Sequence, residues 1–217
     1  MRISAAVLLV ATAAQCQRAP PEEFAPRNSS ANTETVASSS SSARPEAPST
    51  PPVTTDALPS RCVHPTPSEA PARVAPGPAP GCPADPETGP AKVPVVTMTF
   101  PEASGVAVDA EFVRTEHDTM RGLMYRTSMN EDRGMLFDLR AREDHKFWMH
   151  NTCIPLDMLF VDEDGFIVGI VENAPTLNDA SRGVGCPSRF VLEVNAGWTR
   201  RHGVKAGQHM SFPSGVR

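Results

Sequence analysis

Five side chains in the C-terminal half of this chain have types suited to recognising or transforming a polar ligand: Arg121, Arg126, Trp148, Asn151 and Asp157. Each stands among apolar neighbours, where an unpaired polar group is costly. The two arginines could fork onto a carboxylate, sugar acid or phosphate, with Trp148, Met149 and Phe160 as the wall of a pocket. A plain structural reading competes. In it Asp157 pairs with Arg121 or Arg126, and Asn151 satisfies backbone groups left open at a bend. An enzymatic reading makes Asp157 a general acid or base whose pKa burial would raise. A hydrolase would add a second carboxylate or a placed nucleophile. Asp162 and Glu193 are available, but alternation along Ser188–Asn195 puts Glu193 opposite the apolar face of its strand, toward solvent. No Gly-x-Ser-x-Gly, His-Glu-x-x-His or phosphate loop occurs, so no catalytic residue is assigned.

Metal chemistry has two candidates. Met120, Met124, Met129, Met135, Met149 and Met158, with His145 and His150, supply the soft ligands that suit Cu(I). Methionine is also an adaptable core filler, and these residues are spread over separate elements. His145 and His150 lie five apart on a predicted strand and face opposite sides. Asp162-Glu163-Asp164-Gly165 resembles part of a calcium loop but lacks the later bidentate Glu, so it reads as a hairpin turn. The expectation is no metal and no cofactor.

The elements that must position these groups are mostly strands. Val95–Phe100 is β-rich, and Val106, Val108, Ala110 and Phe112 alternate with more variable residues. Thr115, with Asp118 three residues on, opens a helix as a loose capping box, with Met120, Leu123 and Met124 on one face. Strands follow at Gly134–Leu139, Lys146–Asn151 and Met158–Val161. The acidic turn returns the chain as a hairpin through Phe166–Val171. Asn173–Pro187 reads as a polar loop, Ser188–Asn195 as a strand, and Ala196-Gly197 as the entry to a short helix ending at His202 before Gly203. A last strand is expected at His209–Phe212. Short strands with regular turns and two short helices suggest a β-barrel or sandwich.

The N-terminal part obeys different physics. Most of the 23 prolines lie before Val95, together with the Ser38–Ser42 run. Such a segment has too little apolar surface to offset its ordering entropy, and 16–94 reads as a disordered Pro/Ser-rich linker. Residues 1–15 read as a signal peptide, with Arg2 ahead of the apolar run Ile3–Ala14, which is too short to span a bilayer. Cys16 follows as in a bacterial lipoprotein, although Gln15 stands where a small residue is usual. Lipidation would anchor the chain; cleavage after Ala13 would leave Cys16 a free thiol. Setting Cys16 aside, four cysteines remain, and the parsimonious disulfides in an oxidising compartment are Cys62–Cys82 and Cys153–Cys186. A formal net charge of −5 without a basic stripe argues against nucleic acid as the main partner.

One set of motifs is family-specific in its order. Arg121-Gly122-Leu123-Met124-Tyr125-Arg126 precedes Gly134-Met135-Leu136-Phe137. Phe147-Trp148-Met149-His150-Asn151-Thr152 follows, then Ile154-Pro155-Leu156-Asp157-Met158-Leu159-Phe160. Val191-Leu192-Glu193-Val194-Asn195-Ala196-Gly197 and the Gly203…Gly207 turn come last. Over roughly Val96 to Phe212 the chain resembles the family called domain of unknown function 192. The resemblance implies a mainly β, compact β-barrel-like or jelly-roll-like domain, here with two short helices over 95–217, and no established reaction. His150 stands where Lys is frequent in the family, and Cys153 and Cys186 look like an added pair.

The resulting functional expectation is an exported, membrane-tethered cell-envelope protein. It would be a monomer acting as a non-catalytic binding or accessory module for an envelope ligand or protein, anchored by lipid only. The alternative is an envelope enzyme acting on a carbohydrate or similar polar substrate through Asp157.

Overall fold

A computed structural model describes residues 61–87, 89 and 92–216. The expected signal peptide, Cys16 and the first part of the expected linker lie outside the described residues. The elements are β1 (Val95–Phe100), β2 (Val106–Val113), α1 (Glu116–Arg121), β3 (Arg133–Glu143), β4 (Phe147–Met149), β5 (Leu156–Val161), β6 (Ile167–Ala174), β7 (Asn178–Arg182), β8 (Ser188–Asn195) and α2 (Trp198–His202). The mainly β class and the two short helices agree with the sequence reading. β7 falls inside the stretch read as a polar loop: its side chains are polar and largely exposed, so it carries no alternating apolar pattern.

Six strands form one sheet in the order β1-β2-β3-β8-β5-β6, and β4 and β7 form a separate two-stranded ribbon. Among the described residues only β2 and β3 pair in parallel; α1 lies in their connection. The sheet does not close into a barrel, because no ladder joins β1 to β6. The C-terminal segment, expected as a strand at His209–Phe212, instead makes single bridges. Ser211 meets Thr99 of β1, and His209 meets Phe166 just before β6.

The central strands are buried on both faces, which explains their near-continuous apolar runs. Alternation divides their side chains between two cores. Leu136, Leu159, Phe190, Leu192 and Val194 pack with Trp198 of α2 on one face. Met135, Phe137, Met158, Phe160 and Val191 pack with Leu123 and Met149 on the other. Glu193 is next to Val191 on that second face, opposite Met135 and Met158 in the register. It is therefore buried, not in solvent as alternation alone suggested. Alternation separates two faces but does not say that one of them is wet. Gly134 lets β3 approach β8 closely, since a Cβ there would lie 2.5 Å from the Glu193 carbonyl oxygen.

The folded unit also reaches further back than Val95. Residues assigned to the linker on composition lie along the domain. His64 N–H donates to Val168 O, Ala79 N–H to Cys153 O, and the Arg200 guanidinium to the carbonyls of Pro67, Ser68 and Glu69. The disulfides are Cys62–Cys186 and Cys82–Cys153, not Cys62–Cys82 and Cys153–Cys186. Because this strap runs across the domain rather than looping on itself, each of its cysteines meets a cysteine of the domain. Two disulfides suit an oxidising, exported environment. Among the described residues no helix is long and apolar enough to cross a membrane.

Candidate functional site

The second face of the sheet is not sealed everywhere. Between α1, β3 and β4 it opens into a pocket of about 160 Å³. Its position follows from local sequence. Thr115 caps α1 by accepting the Asp118 N–H at 3.1 Å, as the capping box predicted. The helix stops after Arg121 because Gly122 takes a positive φ of 48°, and its N–H returns to Asp118 O. A Cβ at Gly122 would approach the Phe137 ring within 3.3 Å, so glycine lets this turn sit down on the pocket wall. Phe137 meets Phe147 of β4 edge-on, with ring centroids 5.2 Å apart.

The walls are Met120, Leu123, Met124, Phe137, Leu139, Phe147 and Trp148. Met120 and Trp148 at the rim are 58% and 45% exposed, two of the few large apolar side chains left open to water among the described residues. At the buried end is Glu193, only 4% exposed. Among the described residues its carboxyl has no hydrogen-bond or ion-pair partner. Desolvation pushes its pKa up to about 8, so at neutral pH it keeps its proton and presents one donor and one acceptor side by side.

The basic side chains around the pocket are already engaged. Arg121 donates to both oxygens of Asp85, at 2.9 and 2.7 Å, and to Gly89 O, and pairs with Glu87 at 3.2 Å. The hydrogen bond from Arg121 holds the Asp85 carboxyl below its ordinary range. Lys146 binds both oxygens of Asp144, and His145 Nε2 lies 2.9 Å from Ala141 O.

Of the five residues singled out from sequence, Arg121 and Trp148 line this pocket and the other three do not. Arg126 forms a two-pronged pair with Glu111. Asn151 sits at the bend after β4 with φ 50° and donates to the Tyr125 hydroxyl at 3.0 Å, a left-handed conformation that Asn tolerates. Asp157 is completely buried. One oxygen accepts the N–H groups of Asn173 and Gly197, at 2.9 and 3.0 Å. The other accepts the N–H and hydroxyl of Thr199, at 3.1 and 2.7 Å. It pairs with neither Arg121 nor Arg126, and it faces protein donors rather than a cleft. Asp157 therefore clamps β5, β6 and the start of α2, and the acid/base role assigned to it has no cleft in which to act. Asp162 is taken by Arg142 at 2.7 and 2.9 Å, and that hydrogen bond is the main cause of its lowered pKa. Among the described residues no three His, Cys, Asp or Glu side chains are grouped to hold a metal.

Glu193 was the residue misplaced from sequence. A signal was present: it interrupts the run Phe190-Val191-Leu192-Glu193-Val194, which is apolar on both strand faces and so marks a strand covered on both sides.

The chain is similar to two solved structures. One is a Sinorhizobium meliloti 1021 protein provisionally named a transcription regulator. It is 36% identical, with a TM-score of 0.54 over 57% of this chain and 98% of that one. The other is a protein of unknown function from Novosphingobium aromaticivorans DSM 12444. It is 29% identical, with a TM-score of 0.54 over 59% of this chain and 91% of that one. A search of the curated proteins finds no match. The family model DUF192, described as an uncharacterized ACR, matches residues 99–212, which hold every sheet strand but the start of β1 together with the whole pocket; the chain belongs to that family.

Proposed function

We propose that this chain is an exported, non-catalytic binding module, anchored to an envelope membrane by lipid on Cys16, that takes a small and largely apolar ligand in the pocket over Glu193. The observation that carries the binding reading is Glu193 itself. A desolvated carboxyl costs stability, and Glu193, only 4% exposed, stands at the end of a pocket whose rim exposes Trp148 and Met120. Among the described residues the pocket is lined by one carboxyl, with no second acid beside it, which fits binding better than the paired-carboxylate chemistry of glycoside hydrolysis. The export reading is supported by the N-terminal sequence and by the two disulfides.

The pocket is tested by incubating the full chain with an envelope extract, re-isolating it and identifying bound small molecules by native mass spectrometry. Wild type is expected to retain a discrete small ligand, and Trp148→Ala to retain about tenfold less. An identical set of bound molecules on both proteins counts against the pocket. The anchor has its own readout. Cys16→Ser is expected to move the protein from the membrane fraction to the soluble fraction, since a lipid chain supplies the membrane affinity; unchanged fractionation would remove the anchor.

A further inference from the structure

We infer that the pocket over Glu193 takes a small, flat, neutral molecule whose amide- or lactam-type edge pairs with the Glu193 carboxyl. This inference rests on the binding reading above and names the ligand class for the same site.

The first ground is size. A cavity of about 160 Å³ is close to one that holds a single benzene molecule, so the deep part of the ligand is one ring or its equivalent. The second ground is the wall. Phe137, Phe147, Leu139 and Met124 offer apolar and aromatic surface with nothing to hydrogen-bond, which suits a planar body. The third ground is the end group. The Glu193 side chain is 4% exposed, its carboxyl has no charged or hydrogen-bonding partner among the described residues, and burial keeps it neutral at pH 7. A neutral carboxyl has an O–H donor and a carbonyl acceptor in one plane. An edge with C=O beside N–H closes two hydrogen bonds against it and leaves neither oxygen unsatisfied.

Charged ligands fit less well. A cation would have to ionise Glu193 and bury an ion pair in an apolar site, where desolvation competes with the attraction. It would also pass Arg121 and Lys146 at the pocket wall. An anion would find Arg121 and Lys146 already paired with Asp85, Glu87 and Asp144, and one donor at the buried end. The strands flanking Glu193 present Met135 and Met158 at its register positions, and the charged side chains further along that face, Arg133 and Glu111, are paired with Asp109 and Arg126.

The test uses the full-length oxidised protein and four probes of one-ring size: 2-pyridone, benzamide, benzylamine and toluene. Affinities are measured by ligand-observed NMR across pH. The two amide-edged probes are expected to bind about tenfold more tightly than benzylamine or toluene. Their affinity should stay level from about pH 5 to 7 and fall about tenfold by pH 9, as the carboxyl ionises above its pKa near 8. Glu193→Gln keeps a donor and an acceptor on one edge. It should bind the same probes within about threefold and lose the pH dependence, whereas Glu193→Leu should lose about tenfold. Both replacements remove a buried carboxyl, so folding is not put at risk.

Three results overturn the assignment in different ways. Benzylamine binding most tightly, strengthening toward pH 8 and abolished in Glu193→Gln, would make the ligand an organic cation and leave the pocket reading standing. Toluene binding as well as 2-pyridone, with Glu193→Leu unaffected, would make the site purely apolar. No saturable binding by any probe, combined with an envelope-derived complement unchanged in Trp148→Ala, would remove both the assignment and the pocket reading.

Discussion

Glu193→Gln is expected to leave stability unchanged near pH 4 and to raise it by on the order of 5 kcal/mol at pH 8. In the denatured chain Glu193 titrates at its ordinary value of 4.5; in the folded chain burial holds it near 8. Below pH 4.5 both states carry the proton and the group costs nothing through ionisation. Between 4.5 and 8 the denatured state has released the proton and the folded state has not. Stability therefore falls as pH rises through this window and levels off above it. Glutamine has the same shape and no titration, so it removes the fall. Urea unfolding of both proteins at pH 4, 6 and 8 is the measurement. Parallel wild-type and variant curves would show that Glu193 is not desolvated in the folded state. A group that weakens the fold at working pH, at the end of an open pocket, is arranged as functional acids commonly are.

The second large effect belongs to Asp157. Asp157→Ala removes four accepted hydrogen bonds at once and leaves three backbone N–H groups and the Thr199 hydroxyl unpaired. With each buried orphan costing about 1–3 kcal/mol, and partial rearrangement of the loop at 196–199, the loss is expected to be about 5 kcal/mol. Asp157→Asn keeps one oxygen and turns an amide NH2 toward the other two donors, so it should lose about half as much. Hydrogen exchange should localise the effect to residues 196–203, since Asp157 ties β5 to the start of α2. Loss of ligand uptake with stability held within about 1 kcal/mol of wild type would instead restore a binding role to Asp157.

The sequence signals that proved reliable were local ones. Thr115 and Asp118 mark the start of α1 because a cap is made by residues three apart. Asp162–Gly165 marks the hairpin between β5 and β6 because a turn is closed within four residues, with Gly165 N–H returning to Asp162 O. Gly203, in the left-handed region, ends α2 for the same kind of reason. Arg121 and Trp148 were found because a cation and a large ring among apolar residues are unusual. Other groups were picked out by type and then placed wrongly by partner. Arg126 goes to Glu111, and Asp157 to the backbone around α2, because pairing depends on which strands become neighbours. β7 was missed because ribbon pairing with β4 gives it no apolar face.

The amino-acid sequence by itself determined the mainly β class, the turns and caps, the boundary in composition near Val95 and the family. All of these depend on residues close together in the chain, or on motif order. The tertiary structure alone decided three things. It laid the strap across the domain, so that Cys62 meets Cys186 and Cys82 meets Cys153. It left the sheet open, with its edges touched by single bridges. And it covered the second face of β8, turning Glu193 from an apparent surface carboxylate into a buried acid over a pocket. Each of these turns on contacts between segments far apart in sequence, and strand alternation states which side a residue faces without stating what lies there.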